Sequence, residues 1–214
     1  MHEIGEKYND LKKQTILHFL DLLENDDSVD RISPRMLEAV GAKMQIDPNY
    51  YSILFPKGIS EIMTNLSDYL DQKILLANKQ EKANKKSIRG KIKSALELRI
   101  IDSTSLKAQR KIVSYFSEIK NFDINLKASL KTCNVIWQYA GDESTDFNYY
   151  TKRGLLLTVY KRAINFYLKD NSKDYTQTRQ FIQNALDNIV NIASLKGKIK
   201  SLKKEDIPII RLFS

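Results

Sequence analysis

Apolar side chains recur three and four residues apart along almost the whole 214-residue chain, which leaves little room for anything but packed helices. Leu11, Thr15, Phe19, Leu22 and Leu23 form one such stripe over about residues 6–25, which stops at Asn25-Asp26-Asp27. Ser33 is expected to cap a short second helix with Pro34 at its first position, where a missing N–H costs nothing. That helix presents Leu37 and Val40 and is expected to break near Gly41. Asp47 caps a third, running through Tyr50 and Tyr51 to Phe55, and Pro56 and Gly58 end it. A long helix then begins near Ile59, with Ile62, Met63, Leu66, Tyr69, Leu70 and Ile74 on one side. The next stripe, Ile88, Ile92, Ala95, Leu96 and Arg99, puts an arginine in line with apolar positions, so that its stem packs and its head needs a carboxylate. Helices at about 105–120, 125–140, 147–169 and 174–196 complete an all-α expectation.

Composition removes several function classes. A single cysteine, Cys133, closes no internal disulfide and builds no thiolate metal site, which fits a reducing compartment. His2 and His18 sit in no His-x-x-x-His or Glu-x-x-His arrangement, so zinc hydrolase and helical di-iron readings lose their usual ligands. With 7 Gly and 4 Pro there is no Gly-x-Gly-x-x-Gly and no phosphate loop. No acid, base or metal constellation stands behind an enzyme, and no cofactor is expected. No window approaches the run of apolar residues that a membrane span needs.

The net charge of +9 is concentrated in two places: residues 79–93 carry +6 and residues 196–211 carry +4. Lysine outnumbers arginine 26 to 9, a mixture poor in the forked donors that read bases and phosphates.

Three short helices before a longer bundle is the plan of the TetR-type regulators, and Phe55-Pro56-Lys57 followed by Ile59 and Ile62 is similar to the turn that closes their helix-turn-helix heads. The expected division is a head over 1–57, a helical body over 58–195 and a basic amphipathic tail over 196–214. Between Met44 and Pro56, however, the helix that would read DNA holds no lysine or arginine. A head without DNA binding is therefore favoured over a ligand-responsive transcriptional regulator, which stays as the alternative, and no nucleic acid partner is expected.

The run from Ile136-Trp137 through Ala140-Gly141-Asp142-Glu143-Ser144-Thr145-Asp146 to Tyr149-Tyr150-Thr151-Lys152-Arg153 resembles the pattern of the ubiquinone (coenzyme Q) biosynthesis lipid-binding family. Leu54-Phe55-Pro56-x-Gly58, Lys91-Ile92 with Arg99, and Asp170, Ser172, Thr178 and Phe181 follow the same family's pattern. Tyr149 stands where a tryptophan is usual and Lys152 where an arginine is usual. The resemblance implies a TetR-type fold without catalysis. It also implies binding of isoprenoid lipids or quinone precursors, association with a membrane surface, and assistance to the di-iron hydroxylase that acts on demethoxyubiquinone.

Three sets of residues are expected to carry that role. The lipid pocket is sought among Tyr115, Phe116, Ile119, Leu130, Cys133, Ile136, Trp137, Leu156, Val159 and Tyr160, all of which would also serve as ordinary core. The hydroxylase is expected to dock on Asp146, Tyr149, Tyr150 and Arg153, although Gly141 as a helix stop, a cap at Ser144, Thr145 or Asp146, and aromatics in the core would explain the same run. Arg153 should be either exposed or paired with a nearby acid. A membrane-binding tail is expected at Lys198, Ile199, Lys200, Leu202, Lys203 and Lys204. By analogy with TetR-type bodies, a homodimer forms through the last two long helices. The acidic opening Met-His-Glu-Ile-Gly-Glu lacks a leader's basic or Arg-rich pattern, so the expected location is bacterial: cytoplasmic, held peripherally at the inner membrane.

Overall fold

The computed structural model describes residues 2–80, 87–143 and 147–199, with side chains over 6–47, 50–77, 87–143 and 149–188. Among these residues all regular structure is helical: α1 (His2–Asn25), α2 (Arg35–Met44), α3 (Pro48–Leu54), α4 (Ile59–Gln80), α5 (Ile88–Glu97), α6 (Leu106–Ser117), α7 (Phe122–Ala140), α8 (Phe147–Tyr167) and α9 (Thr176–Ile199). The periodic stripes fall on these helices with ends shifted by a few residues.

Three local expectations are corrected. Ser33 does not cap α2 through its side chain; its carbonyl accepts from Met36 N at 3.1 Å, and the helix starts beyond Pro34. Gly41 does not break α2, which runs on to Met44 and closes at Gln45 in the left-handed region. Glycine is needed at 41 for closeness instead, because a Cβ there would lie 2.8 Å from Tyr51 Cε2. Finally, the helix expected to run to Arg99 gives way to a π turn over Leu98–Asp102, and Arg99 is carried inward on it.

The buried apolar residues form two clusters. One gathers Phe19, Leu23, Val40 and Leu54 of the first three helices, and Phe55 just past α3, with Ile62, Met63 and Leu66 of α4 and with Ala108, Ile112 and Tyr115 of α6. The other joins Ile74, near the far end of α4, to α5, the π turn, α7, α8 and α9. α4 thus contributes to both.

Polar contacts reinforce the seam between α1 and α6. Lys111 is buried, and its Nζ donates to Leu23 O at 3.0 Å and Asp26 O at 3.3 Å, which sets a cation on the terminal carbonyls of α1. Burial lowers the Lys111 pKa. In the other direction Glu24 Oε1 accepts from Thr104 Oγ1 at 2.6 Å and from Ser105 N at 3.0 Å, just where Ser105 caps α6.

Asp170 organises the link between α8 and α9. Its carboxylate accepts from the backbone N–H and hydroxyl of both Ser172 and Thr178, at 2.6–2.8 Å. Burial alone would raise its pKa, but these four donors outweigh burial and bring it down to about 2. Among the described residues no helix is long and apolar enough to cross a membrane.

Candidate functional site

The distinctive Trp137–Arg153 run folds into a corner between the end of α7 and the start of α8. Gly141 ends α7 in the left-handed region at φ 88°, as its position in the sequence implies. The chain then returns so that Asp142 faces α8, where its two oxygens take Lys152 Nζ at 2.6 Å and Arg153 Nη1 at 2.9 Å. Arg153 Nε donates to Asn134 Oδ1 at 3.0 Å, and the Tyr149 hydroxyl donates to the same oxygen at 3.2 Å. The guanidinium lies 3.4 Å from the centroid of the Tyr149 ring, and Trp137 Nε1 donates to Lys152 O at 3.2 Å. Trp137, Asp142, Tyr149, Lys152 and Arg153 of the run thus fasten α8 to α7 and its end.

This geometry sorts the expected docking residues. Arg153 is paired, as one of its two alternatives required, but it is only 6% exposed, so its head is unavailable to a partner. The reason is local: Asn134 on α7 and Asp142 just past its end reach it, and Tyr149 of its own helix stacks on it. Tyr150 is 71% exposed and packs edge-to-face on half-buried Tyr149. Asp146, with Ser144 and Thr145, lies outside the described residues. So do the side chains of Lys198 and Ile199 and all of Lys200, Leu202, Lys203 and Lys204. Asn134, which ties Tyr149 to Arg153, is missing from the sequence-based expectation because one asparagine on a helix gives no pattern.

The ten residues sought for the lipid pocket are not gathered round one space. Cys133, Ile136, Leu156, Val159 and Tyr160 belong to the second cluster with Trp137 packed against it, whereas Tyr115 and Phe116 join the first. Ile119 is 95% exposed and Leu130 38%, so neither lines the interior. Ile119 sits in the 3-10 turn before α7, and Leu130 is about 100° round the helix from buried Ser129. Phe116 and Tyr160 do meet, on the wall of a cavity of about 220 Å³ between the bundle helices. Burial pushes the Cys133 thiol up to about 12, which makes it an inert core residue.

Arg99 meets its expectation closely. It is 3% exposed, and its Nε donates to Asp71 Oδ1 at 2.7 Å and its Nη2 to Ser67 Oγ at 3.2 Å. The Thr132 hydroxyl lies 3.0 and 2.9 Å from the two Asp71 oxygens. Burial raises the Asp71 pKa against the pull of Arg99. Among the described residues no group of His, Cys, Asp and Glu is arranged to hold a metal ion.

A model of the COQ9 family matches residues 123–193, which include the α7–α8 corner and the Asp170 loop. The mitochondrial "probable ubiquinone biosynthesis protein coq9" of Dictyostelium discoideum is 28% identical over 142 residues, 66% of this chain and 44% of that protein. The human mitochondrial "ubiquinone biosynthesis protein COQ9" is 36% identical over 66 residues, 31% of this chain and 21% of that protein. The matched stretches thus span less than half the length of either relative. In fold, a TetR transcriptional regulator from Nitrosomonas europaea superposes with a TM-score of 0.63 at 16% identity, covering 83% of this chain and 96% of its own. The expected bacterial location, cytoplasmic and at the inner membrane, is overturned, since these relatives are named as mitochondrial proteins. Over its C-terminal half the chain carries the sequence pattern of the COQ9 proteins of ubiquinone biosynthesis, and it carries that pattern on an all-α, TetR-type fold.

Proposed function

We propose that this chain is a non-catalytic accessory protein of ubiquinone biosynthesis that binds a polyprenylated ubiquinone precursor and presents it to the di-iron hydroxylase acting on demethoxyubiquinone. The observation that carries the reading is the family match over residues 123–193, whose most distinctive residues build the α7–α8 corner. An isoprenoid tail is too apolar to leave a bilayer unaided, so a protein that shields it lowers the cost of offering the ring to an enzyme. Tyr150, exposed at that corner, is the aromatic anchor for the hydroxylase, with Tyr149 and the buried Asp142–Arg153 pair holding it in place. The protein works as a homodimer through α8 and α9.

Lipid extraction of the gently purified protein followed by mass spectrometry tests the binding role. An isoprenoid quinone precursor is expected, and its absence rejects the role. For docking, Tyr150→Ala should weaken pull-down of the hydroxylase by about thirtyfold while leaving helicity and bound lipid unchanged. Unchanged capture would remove the corner from the partner surface. Light scattering should give about twice the 24.8 kDa chain mass. On the same fold, α3 bears no lysine or arginine and turns Ile53 outward, which counts against the transcriptional-regulator alternative.

A further inference from the structure

The cavity of about 220 Å³ has an unusual wall for a helical bundle. Its charged residues are Arg99, from the π turn, and Lys161, from α8. No acid lines it. Asp71 lies behind Arg99 and takes one edge of the guanidinium, so one carboxylate stands against two cations. Lys161 Nζ donates to Asn125 Oδ1 and has no carboxylate partner among the described residues.

Two buried polar atoms of residues in this wall have no hydrogen-bond partner among the described residues. Among the described residues Arg99 Nη1 donates to nothing and Gln109 Oε1 accepts from nothing, although their residues are only 3% and 2% exposed. Such orphans are rare in folded proteins, and arginine cannot escape by losing its proton. One orphan is a donor with a positive charge; the other is a neutral acceptor. The rest of the lining includes Phe116, Tyr160 and Ile112, which offer apolar and aromatic surface. The size is informative too, because a cavity of about 150 Å³ already holds a benzene ring, and a polyprenyl tail would need far more.

We infer that this cavity binds a single-ring hydroxylated aromatic acid, with the carboxylate held by Arg99 and Lys161, the ring against Phe116 and Tyr160, and the hydroxyl turned to Gln109. The site goes beyond the proposed function: Phe116 and Tyr160 belong to the candidate lipid pocket, but a ring acid is a different ligand from the demethoxyubiquinone ring, which carries no carboxylate. Burial lowers the Lys161 pKa, and an anion beside it would restore the charged form.

Isothermal titration of the full chain with 4-hydroxybenzoate, benzoate, phenol and inorganic phosphate tests the site. The hydroxylated acid should bind about tenfold tighter than benzoate, and benzoate tighter than phenol or phosphate. Gln109→Leu, which removes an orphan at nearly constant volume, should erase the difference between the two acids and leave benzoate unchanged. Lys161→Met should weaken both acids and spare phenol, and it decides the matter if Gln109→Leu does not fold. No heat from any probe at millimolar concentration would mean that water fills the cavity, and would overturn the site. Equal binding of phosphate would replace the ring with a bare anion and overturn it as well. Failure of all ring probes while isoprenoid lipid is still recovered by mass spectrometry would sink this site and leave the proposed function standing. Ring binding without recovered lipid would do the reverse.

Discussion

Asp142 holds two cations while its own side chain is only 5% exposed, and this decides what its loss would do. Asp142→Ala leaves the buried Arg153 guanidinium with Asn134 and a backbone carbonyl but without a counter-charge. Breaking a buried pair from one side costs about 3–5 kcal/mol, so urea unfolding of this variant should show a loss of that order. A loss under about 1 kcal/mol would mean that the pair is effectively hydrated. Asp170 gives a pH-dependent counterpart. Its folded pKa of about 2 lies below its ordinary value of 3.8, so the folded state favours its charged form. The stability it confers is complete above about pH 4 and is lost as pH falls towards 2. Discounting for screening, Asp170→Asn should remove about 1–2 kcal/mol of that acid dependence, measured as the change in unfolding free energy between pH 5 and pH 2.5. The sequence displays both aspartates within recognisable patterns. It does not display their partners: nothing in the spacing of Asn134 and Arg153 reveals that they meet.

Helices were legible because their apolar residues repeat at the helical period. What escaped were features that leave the period intact. A π turn at Leu98–Asp102 changes the register of Arg99 by a fraction of a turn, too little to alter the stripe that contains it. Gly41 reads as a helix stop on composition alone, whereas its cause is the Tyr51 ring on the next helix. Gly154 supplies the control, since it lies in α8 with nothing within 4 Å of the position of a Cβ. Both substitutions to alanine gain up to about 1 kcal/mol of helix propensity. At Gly41 that gain is opposed by about 1–3 kcal/mol of overpacking against a buried ring. Gly154→Ala should therefore raise the urea midpoint and Gly41→Ala should lower it. The same sign for both would show that Tyr51 shifts without cost.

On the scale of the whole chain, the first 57 residues look separable in sequence, where Pro56 and Gly58 punctuate the end of the head. The packing contradicts independence, because the cluster around Phe19 and Leu23 is completed by Ile62, Met63, Leu66 and Leu70 of α4 and by Ala108, Ile112 and Tyr115 of α6. Deleting residues 1–57 would strip one side from all of these. The four α4 residues are at most 1% exposed, and fully uncovering a side chain of this kind costs about 1.5–3 kcal/mol. Even half of that sum, together with a buried Lys111 deprived of Leu23 O and Asp26 O, is comparable with the roughly 5–15 kcal/mol that holds a typical domain together. A fragment starting at Gly58 should therefore fail to give a cooperative thermal transition, and should bind a hydrophobic dye or aggregate. The intact chain should unfold in one calorimetric step in which head and body melt together. A well-folded fragment, or two resolved transitions in the intact protein, would show that the α1–α6 seam couples the two parts weakly. With the seam intact, a signal that moves the head reaches the 220 Å³ cavity through α4 and α6, since Ser67 of α4 and Gln109, Ile112 and Phe116 of α6 line it.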